Sequence, residues 1–498
     1  MPRLPLTDEQ NDAVRAGDKR LFIEAAPGAG KTTVAAERYG VLRFTGSERS
    51  RLSVTAVSFT RSATSELHRR VRSRWGSSAL TWPHSVMTID MLVCYVVEHL
   101  LRSGVIRWPG DHTSLQVLDD WRGHRGYRWL IAGSFRRVAA IDASGVVTSV
   151  GRPMGDGGLG IGSRGDFHLH LDAGRCTHED VRAVLAAALR MPAMREAVVD
   201  LLSSSVAHIV VDEVFDANDL DLALVDLACS AGIAVTLVGD PWQALYGFRG
   251  AKPERVPAIL TKWGFESLPL SHSFRFQSDE MKALSVLLRG GQPVSLSASE
   301  GHDVVLASQW GYLWQASDNV LPVSFGRTAN KTDAAAIVLL DHLVYSNFNQ
   351  HAIFLPEALV LLDLDRDTYR SEGPAVLSDV VETLAGSAED ATVKALRALR
   401  DAMKQLGAPR RLRASTGENE QRQIDRLTAL GARLRSDAPL VPGMTIHQAK
   451  GREWDRVGVR LGADELSRLM AGLGQGVESD RALYVALTRA RHAVGMVA

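Results

Sequence analysis

Cysteine is scarce in this chain: Cys94, Cys176 and Cys229 are the only three in 498 residues. Set far apart, they supply neither a disulfide framework nor a thiolate metal cluster, and a reducing cytoplasm is the simplest setting. Net charge is missing too, because 57 Lys and Arg balance 57 Asp and Glu. The chain therefore presents no global field to nucleic acid or a bilayer, and any polyanion must be met by a local groove. No uninterrupted apolar run is long enough to span a membrane, and the opening MPRLPLTDEQ has no apolar signal core. A soluble, unsecreted protein without a membrane partner is expected. The length exceeds what one core can hold and fits three or four units of ordinary domain size.

Against these absences stands Ala25-Ala26-Pro27-Gly28-Ala29-Gly30-Lys31-Thr32, a form of the phosphate-binding loop. Glycines let backbone amides close around phosphate oxygens, and the following helix offers its positive N-terminal end. Lys31 neutralises phosphate charge and the Thr32 hydroxyl can hold Mg²⁺. Ala25 stands where the general spacing has glycine. A second segment, Ile209-Val210-Val211-Asp212-Glu213, is an apolar strand ending in two acids. It places carboxylates at the carboxyl edge of a parallel sheet, where Asp212 can complete a Mg²⁺ shell and Glu213 can deprotonate a water.

Short β-rich runs alternate with helical patterns in two regions, which predicts two parallel-sheet cores. In the first, strands are expected at 21–23, 52–59, 208–211 and 234–238. In the second they are expected at 321–325 and 456–461, with a helix over 481–491. The Gly-rich stretch 145–165 reads as a hairpin or loop, and 356–434 reads as largely helical. The charged run 410–426 reads as a solvated helix face or linker.

The segment Val238-Gly239-Asp240-Pro241-Trp242-Gln243-Ala244-Leu245-Tyr246-Gly247-Phe248-Arg249-Gly250-Ala251 is the most discriminating. It resembles the GDxxQxIYxFRGA motif of the UvrD/Rep branch of superfamily 1 helicases. Other segments follow in the order of that family: LTDEQNDAV with Gln10, SFTRSATSEL after Val57, Leu270 to Arg275, MTIHQAKGREWD from Met444 to Asp455, and YVALTRAR from Tyr484 to Arg491.

The resemblance implies an α/β protein with two RecA-like P-loop NTPase cores, each carrying a largely helical inserted accessory domain. Residues 1–88 and 203–268 would form the first core, with 89–202 inserted. Residues 269–350 and 438–498 would form the second, with a small helical insertion at 351–437. It further implies an ATP- and Mg²⁺-dependent translocase or helicase, 3′-to-5′ in polarity, on single-stranded DNA and duplex junctions. Lys31, Asp212, Glu213, Gln243, Arg275 and Arg489 would carry catalysis, the two arginines closing a clamp on the transferring phosphoryl group. Gln10, Gly28, Ala29, Gly30, Lys31, Thr32, Thr33, Phe274 and Glu453 would hold the nucleotide, with Thr32 and Asp212 reaching the metal. Phe59, Thr60, Arg61, Tyr246, Phe248, Arg249, Thr445 and His447 would meet DNA, the aromatics by sequence-tolerant stacking.

The chain departs from the family in places. Phe215 stands where the acid motif usually has Gln, and Thr33 where an Arg often follows the phosphate loop. Phe274 replaces Tyr, and Asp90 occupies the place of a DNA-contacting His. Only about 170 residues separate Arg275 from Thr445, so the second insertion should be abridged. The sequence stops shortly after the arginine motif, so a nuclease, if needed, is expected on another chain. The alternative reading is an ATPase switch that licenses a partner nuclease, as in Gabija-type systems, without processive unwinding. His168, His170, Cys176 and His178 lie close in sequence but lack paired ligand spacing, and no metal site is assigned to them.

Overall fold

The computed structural model describes residues 5–45, 52–119, 131–132, 135–153, 164–326, 331–408 and 417–497. The chain divides into two compact units, Met1–Phe274 and Arg275–Ala498.

In the first unit six strands form one sheet. They are Arg20–Ala25 (β1), Ser53–Ser58 (β2), Ser85–Thr88 (β3), Val206–Asp212 (β4), Ala234–Gly239 (β5) and Glu266–Leu270 (β6). The sheet order is β6-β1-β5-β4-β2-β3, and every pairing is parallel. All six residues of β2 are buried, as a parallel sheet covered on both faces requires. Glu24 lies opposite Gly239, and Val238 opposite Asp212, so β1, β5 and β4 end at nearly one level. Each motif therefore emerges at the same carboxyl edge, where open α/β sheets bind ligands.

Helices Asp8–Arg15 (α1), Lys31–Thr45 (α2) and Arg61–Trp75 (α3) belong to this unit. Arg38 is almost fully buried beneath α1. It donates to the Ala13, Val14 and Ala16 carbonyls at 3.1, 3.3 and 2.9 Å and to Thr236 Oγ1 at 2.7 Å. One guanidinium thus satisfies the open C-terminal carbonyls of α1 and ties the helix to β5. Between α2 and α3, a Cβ built on Gly40 would lie 2.0 Å from the Trp75 ring. Gly40→Ala should gain about 1 kcal/mol in helix propensity, yet the stiff indole must shift, at about 1–3 kcal/mol. We expect net destabilisation, read as a lower midpoint in thermal unfolding; an unchanged or higher midpoint would contradict this packing.

Between β3 and β4 lie Ile89–Arg102 (α4), an antiparallel hairpin of Phe135–Ile141 with Val147–Pro153, and His178–Ala188 (α5). The Gly-rich stretch therefore contributes a turn and a strand, while its residues 154–163 lie outside the described residues. Buried Trp108 donates to the Leu171 carbonyl at 2.9 Å and helps to join this insertion into one core.

The second unit holds a five-stranded parallel sheet of Val304–Ala307 (β7), Val320–Pro322 (β8), Val441–Thr445 (β9), Trp454–Val459 (β10) and Ala490–Met496 (β11). Its order is β8-β9-β7-β10-β11. Helices Leu355–Leu362, Arg366–Ala385, Ala391–Gln405 and Glu418–Leu434 make up the helical stretch. Three sequence readings need correction here. Strand β8 stops at Pro322, and Ser324 bends the chain by accepting from the Gly326 amide at 2.9 Å. The helix read over 481–491 ends at Leu487, because Ala490 already pairs with Trp454 as a strand. The charged run is not merely solvated: residues 409–416 lie outside the described residues, but Gln423 and Arg426 turn inward to the buried Asp333 carboxylate, at 2.9 and 2.6 Å.

Candidate nucleotide and nucleic-acid sites

Ala25 is fully buried as the last residue of β1, paired with Leu270, so the place of the missing glycine is taken by a strand residue that needs no unusual backbone. The turn that follows does need glycine: Gly28 and Gly30 have φ of +72° and +82°. Gly30 also leaves room for Gln10, whose Nε2 would lie 2.8 Å from a Cβ there. Gln10 is held from both ends, donating to the Ala29 carbonyl at 2.9 Å and accepting from the Thr7 amide at 3.1 Å. The chain after β6 closes the loop's other side. Ser273 Oγ donates to the Pro27 carbonyl at 2.6 Å, and the Phe274 amide donates to the Gly28 carbonyl at 3.0 Å. The Phe274 ring is exposed, edge-on to His272. Thr33 accepts from Arg70 of α3, a guanidinium that also pairs with Glu66.

Asp212 is fully buried at the end of β4, and among the described residues neither of its oxygens meets a donor in good hydrogen-bond geometry. Burial first, and the neighbouring Glu213 carboxylate second, push its pKa well above the aspartate range, while nearby Lys31 and Thr32 pull it back. A buried carboxylate beside a hydroxyl and an ammonium, without a hydrogen bond in good geometry, is costly by itself and suits a hard cation. Glu213 sits in the left-handed region, φ +62° and ψ +44°, rare for a side chain of this kind. Such outliers concentrate at functional sites. Gln243 is buried one strand away, and its Nε2 donates to Asp240 Oδ2 at 2.6 Å. Phe215 is buried edge-on to Phe22, with ring centroids 6.0 Å apart, so this position belongs to the core.

Farther along the carboxyl edge, Tyr246 and Phe248 lie 5.9 Å apart, and the Arg249 guanidinium is 5.1 and 5.6 Å from their ring centres. Phe248 is 65% exposed, an uncovered ring beside a cation and thus suited to a planar partner. Phe59, in contrast, packs partly into the core. Thr60 caps α3 by accepting from the Ala63 amide at 3.1 Å, and exposed Arg61 pairs with Asp119.

In the second unit Arg275 donates to Glu453 Oε2 at 3.1 Å and to the Thr488 carbonyl at 2.8 Å. Arg491 holds the other Glu453 oxygen at 2.8 Å. Burial opposes ionisation of Glu453, but the hydrogen bonds from Arg491 and Arg275 outweigh it and lower its pKa. Arg489 is 1% exposed and donates to the Val485 carbonyl at 3.0 Å. Thr445 is buried at the end of β9 and His447 is half-buried in the next turn.

Sequence reasoning missed Arg182 of α5, which bonds Asp90, Asn218 and Asp221 at 2.8, 2.9 and 2.6 Å. The acid at position 90 was its one signal. Among the described residues no group of three or more His, Cys, Asp or Glu side chains is placed to hold a metal ion. His168 bonds Ser149, and His178 lies near Cys94. No helix among them is long and apolar enough to cross a membrane.

Comparison with known proteins gives two family matches, an AAA domain over residues 10–249 and a UvrD-like helicase C-terminal domain over residues 367–498. DNA helicase II of Escherichia coli is 24% identical over 334 residues, covering 62% of this chain and 45% of that protein. DNA helicase II of Haemophilus influenzae is 22% identical with the same coverages. One chain of the ATP-dependent helicase/nuclease of Heliobacterium modesticaldum is 37% identical over 95 residues, 19% of this chain and 7% of that protein. The chain thus matches less than half the length of its DNA helicase II relatives.

Proposed function

This chain belongs to the UvrD/Rep-like helicase family, and on that premise we propose that it hydrolyses ATP to move 3′-to-5′ along single-stranded DNA and open duplex junctions. The observation that carries this reading is the fully buried Asp212 carboxylate, beside Lys31 and Thr32 at the sheet edge shared with the phosphate loop.

In this reading Gln10 recognises the adenine edge, the loop 28–33 and Lys31 bind the phosphates, and Phe274 covers one face of the base. Thr32 and Asp212 would hold Mg²⁺, which, when bound, neutralises charge building on the phosphate oxygens. Glu213 orients and deprotonates the attacking water, and Gln243, anchored by Asp240, senses the γ-phosphate. Arg275 and Arg489 counter the charge of phosphoryl transfer, and Glu453 binds the ribose. Tyr246 and Phe248 stack on bases, with Phe59, Thr60, Arg61, Arg249, Thr445 and His447 along the strand. We assign 1–88 and 203–268 to the first RecA-like core and 269–350 and 438–498 to the second. The insertions are 89–202 and 351–437. A cytoplasmic setting belongs to the same proposal.

The test is ATP turnover by the purified chain with and without single-stranded DNA, Lys31→Ala serving as the contamination control. Strong stimulation lost in that variant supports the motor; turnover indifferent to DNA refutes it. Displacement assays on 3′-tailed duplexes then separate unwinding from an ATPase that only licenses a partner nuclease. Phe248→Ala should weaken single-strand binding by about 1–3 kcal/mol and leave the unfolding midpoint unchanged, because the ring is mostly exposed. A lower midpoint with unchanged DNA affinity would make Phe248 a packing residue.

A further inference from the structure

Arg182 lies on α5, outside every motif, yet its guanidinium joins three elements. Nη1 donates to Asp90 in the first turn of α4. Nη2 donates to Asn218 and Asp221 at the start of the helix Asp219–Ser230 (α6). Asn218 caps that helix, accepting from the Leu220 and Asp221 amides at 3.0 and 3.2 Å, while Asp221 Oδ2 accepts from the Asn218 amide at 3.0 Å. Without the guanidinium, the buried Asp221 carboxylate would be left beside the partly exposed Asp90 carboxylate with no counter-charge from Arg182.

Asn218 follows Glu213 by five residues, and the same stretch supports the exposed aromatic segment. The Lys252 amide donates to the Ala217 carbonyl at 2.8 Å, Asn218 bridges to Ala251, and the Ala251 amide returns to the Tyr246 carbonyl at 3.1 Å. The hydrolytic acids and the ring pair Tyr246 and Phe248 therefore hang from the two sides of one short connector, and Arg182 clamps its end. With Phe215 turned into the core, the connector has no side-chain amide at that position.

We propose that Arg182 is a positioning residue that couples strand binding at Tyr246 and Phe248 to ATP turnover at Asp212 and Glu213, with Asp90 as its anchor in α4. This rests on the translocase reading given above. It also accounts for the acid at position 90: the carboxylate is the partner of Arg182.

The test compares wild type, Arg182→Lys and Asp90→Asn in four measurements: basal turnover, turnover saturated with oligo-dT, dissociation constant for that strand, and unfolding midpoint. Lysine keeps the charge but cannot reach Asp90, Asn218 and Asp221 together. Both variants should keep basal turnover within about twofold and lose about fivefold or more of the stimulation. Stimulation equal to wild type in both variants overturns the proposal. So does a proportional fall of basal and stimulated turnover together with the midpoint, which marks a purely structural tie. Wild type without stimulation refutes the translocase reading itself, and the coupling role with it.

Discussion

Replacing Glu213 with glutamine is expected to lower kcat for ATP by about 10²–10⁴-fold, the usual contribution of a positioned general base, and to leave nucleotide affinity nearly unchanged. Glutamine is almost isosteric and keeps one oxygen, so the backbone at φ +62° has no new reason to relax. Asp212 would keep its carboxylate for the metal, and Lys31 its charge for the phosphates. What disappears is the group that can accept a proton. Single-turnover kinetics with a nucleotide-binding measurement on the same sample check this. A kcat within about threefold of wild type would place the base elsewhere. An equal loss of affinity would make Glu213 a binding residue.

Asp212→Asn should abolish turnover to a similar degree while making the nucleotide-free protein more stable. The two effects have opposite signs because they come from one fact: the cost of burying this charge exceeds what nearby Lys31 and Thr32 return. The folded pKa is raised above the ordinary aspartate value of 3.8, by burial first and Glu213 second. Below that value both folded and unfolded states are protonated and the residue costs nothing. As pH rises above it, the unfolded chain ionises first, and stability falls until the folded carboxyl ionises too. An asparagine has no such penalty, so the gain should be absent in acid and largest at neutral pH and above. Each kcal/mol recovered would raise the midpoint by about 2–4 °C in a unit of this size. Adding Mg²⁺ and a non-hydrolysable nucleotide should stabilise wild type more than the variant, because only the carboxylate gains a counter-charge. A variant less stable than wild type across the whole pH range would mean that the Lys31 and Thr32 interactions outweigh the burial of Asp212.

The phosphate loop, the acids after β4 and the aromatic segment after β5 were legible because each is a contiguous run whose chemistry needs neighbouring residues. Parallel strands with short buried runs likewise declare themselves, and the two sheets follow from them. Boundaries read less well where a tertiary partner ends an element, as at Leu487, where pairing with β10 pulls Ala490 into a strand. The charged run misled for a related reason. Arginine has a long apolar stem, and Arg426 uses it to reach Asp333 some ninety residues away.

From residues alone the chain determined its family and its sheet architecture, and it supplied the groups proposed for the nucleotide site, since these depend on local order along the backbone. Only the tertiary structure decided that Phe215 is core, that Arg38 holds α1, that Asp90 pairs with Arg182, and that Asp212 is fully buried. Burial and the pairing of charges depend on residues distant in sequence, and folding alone sets which of them meet.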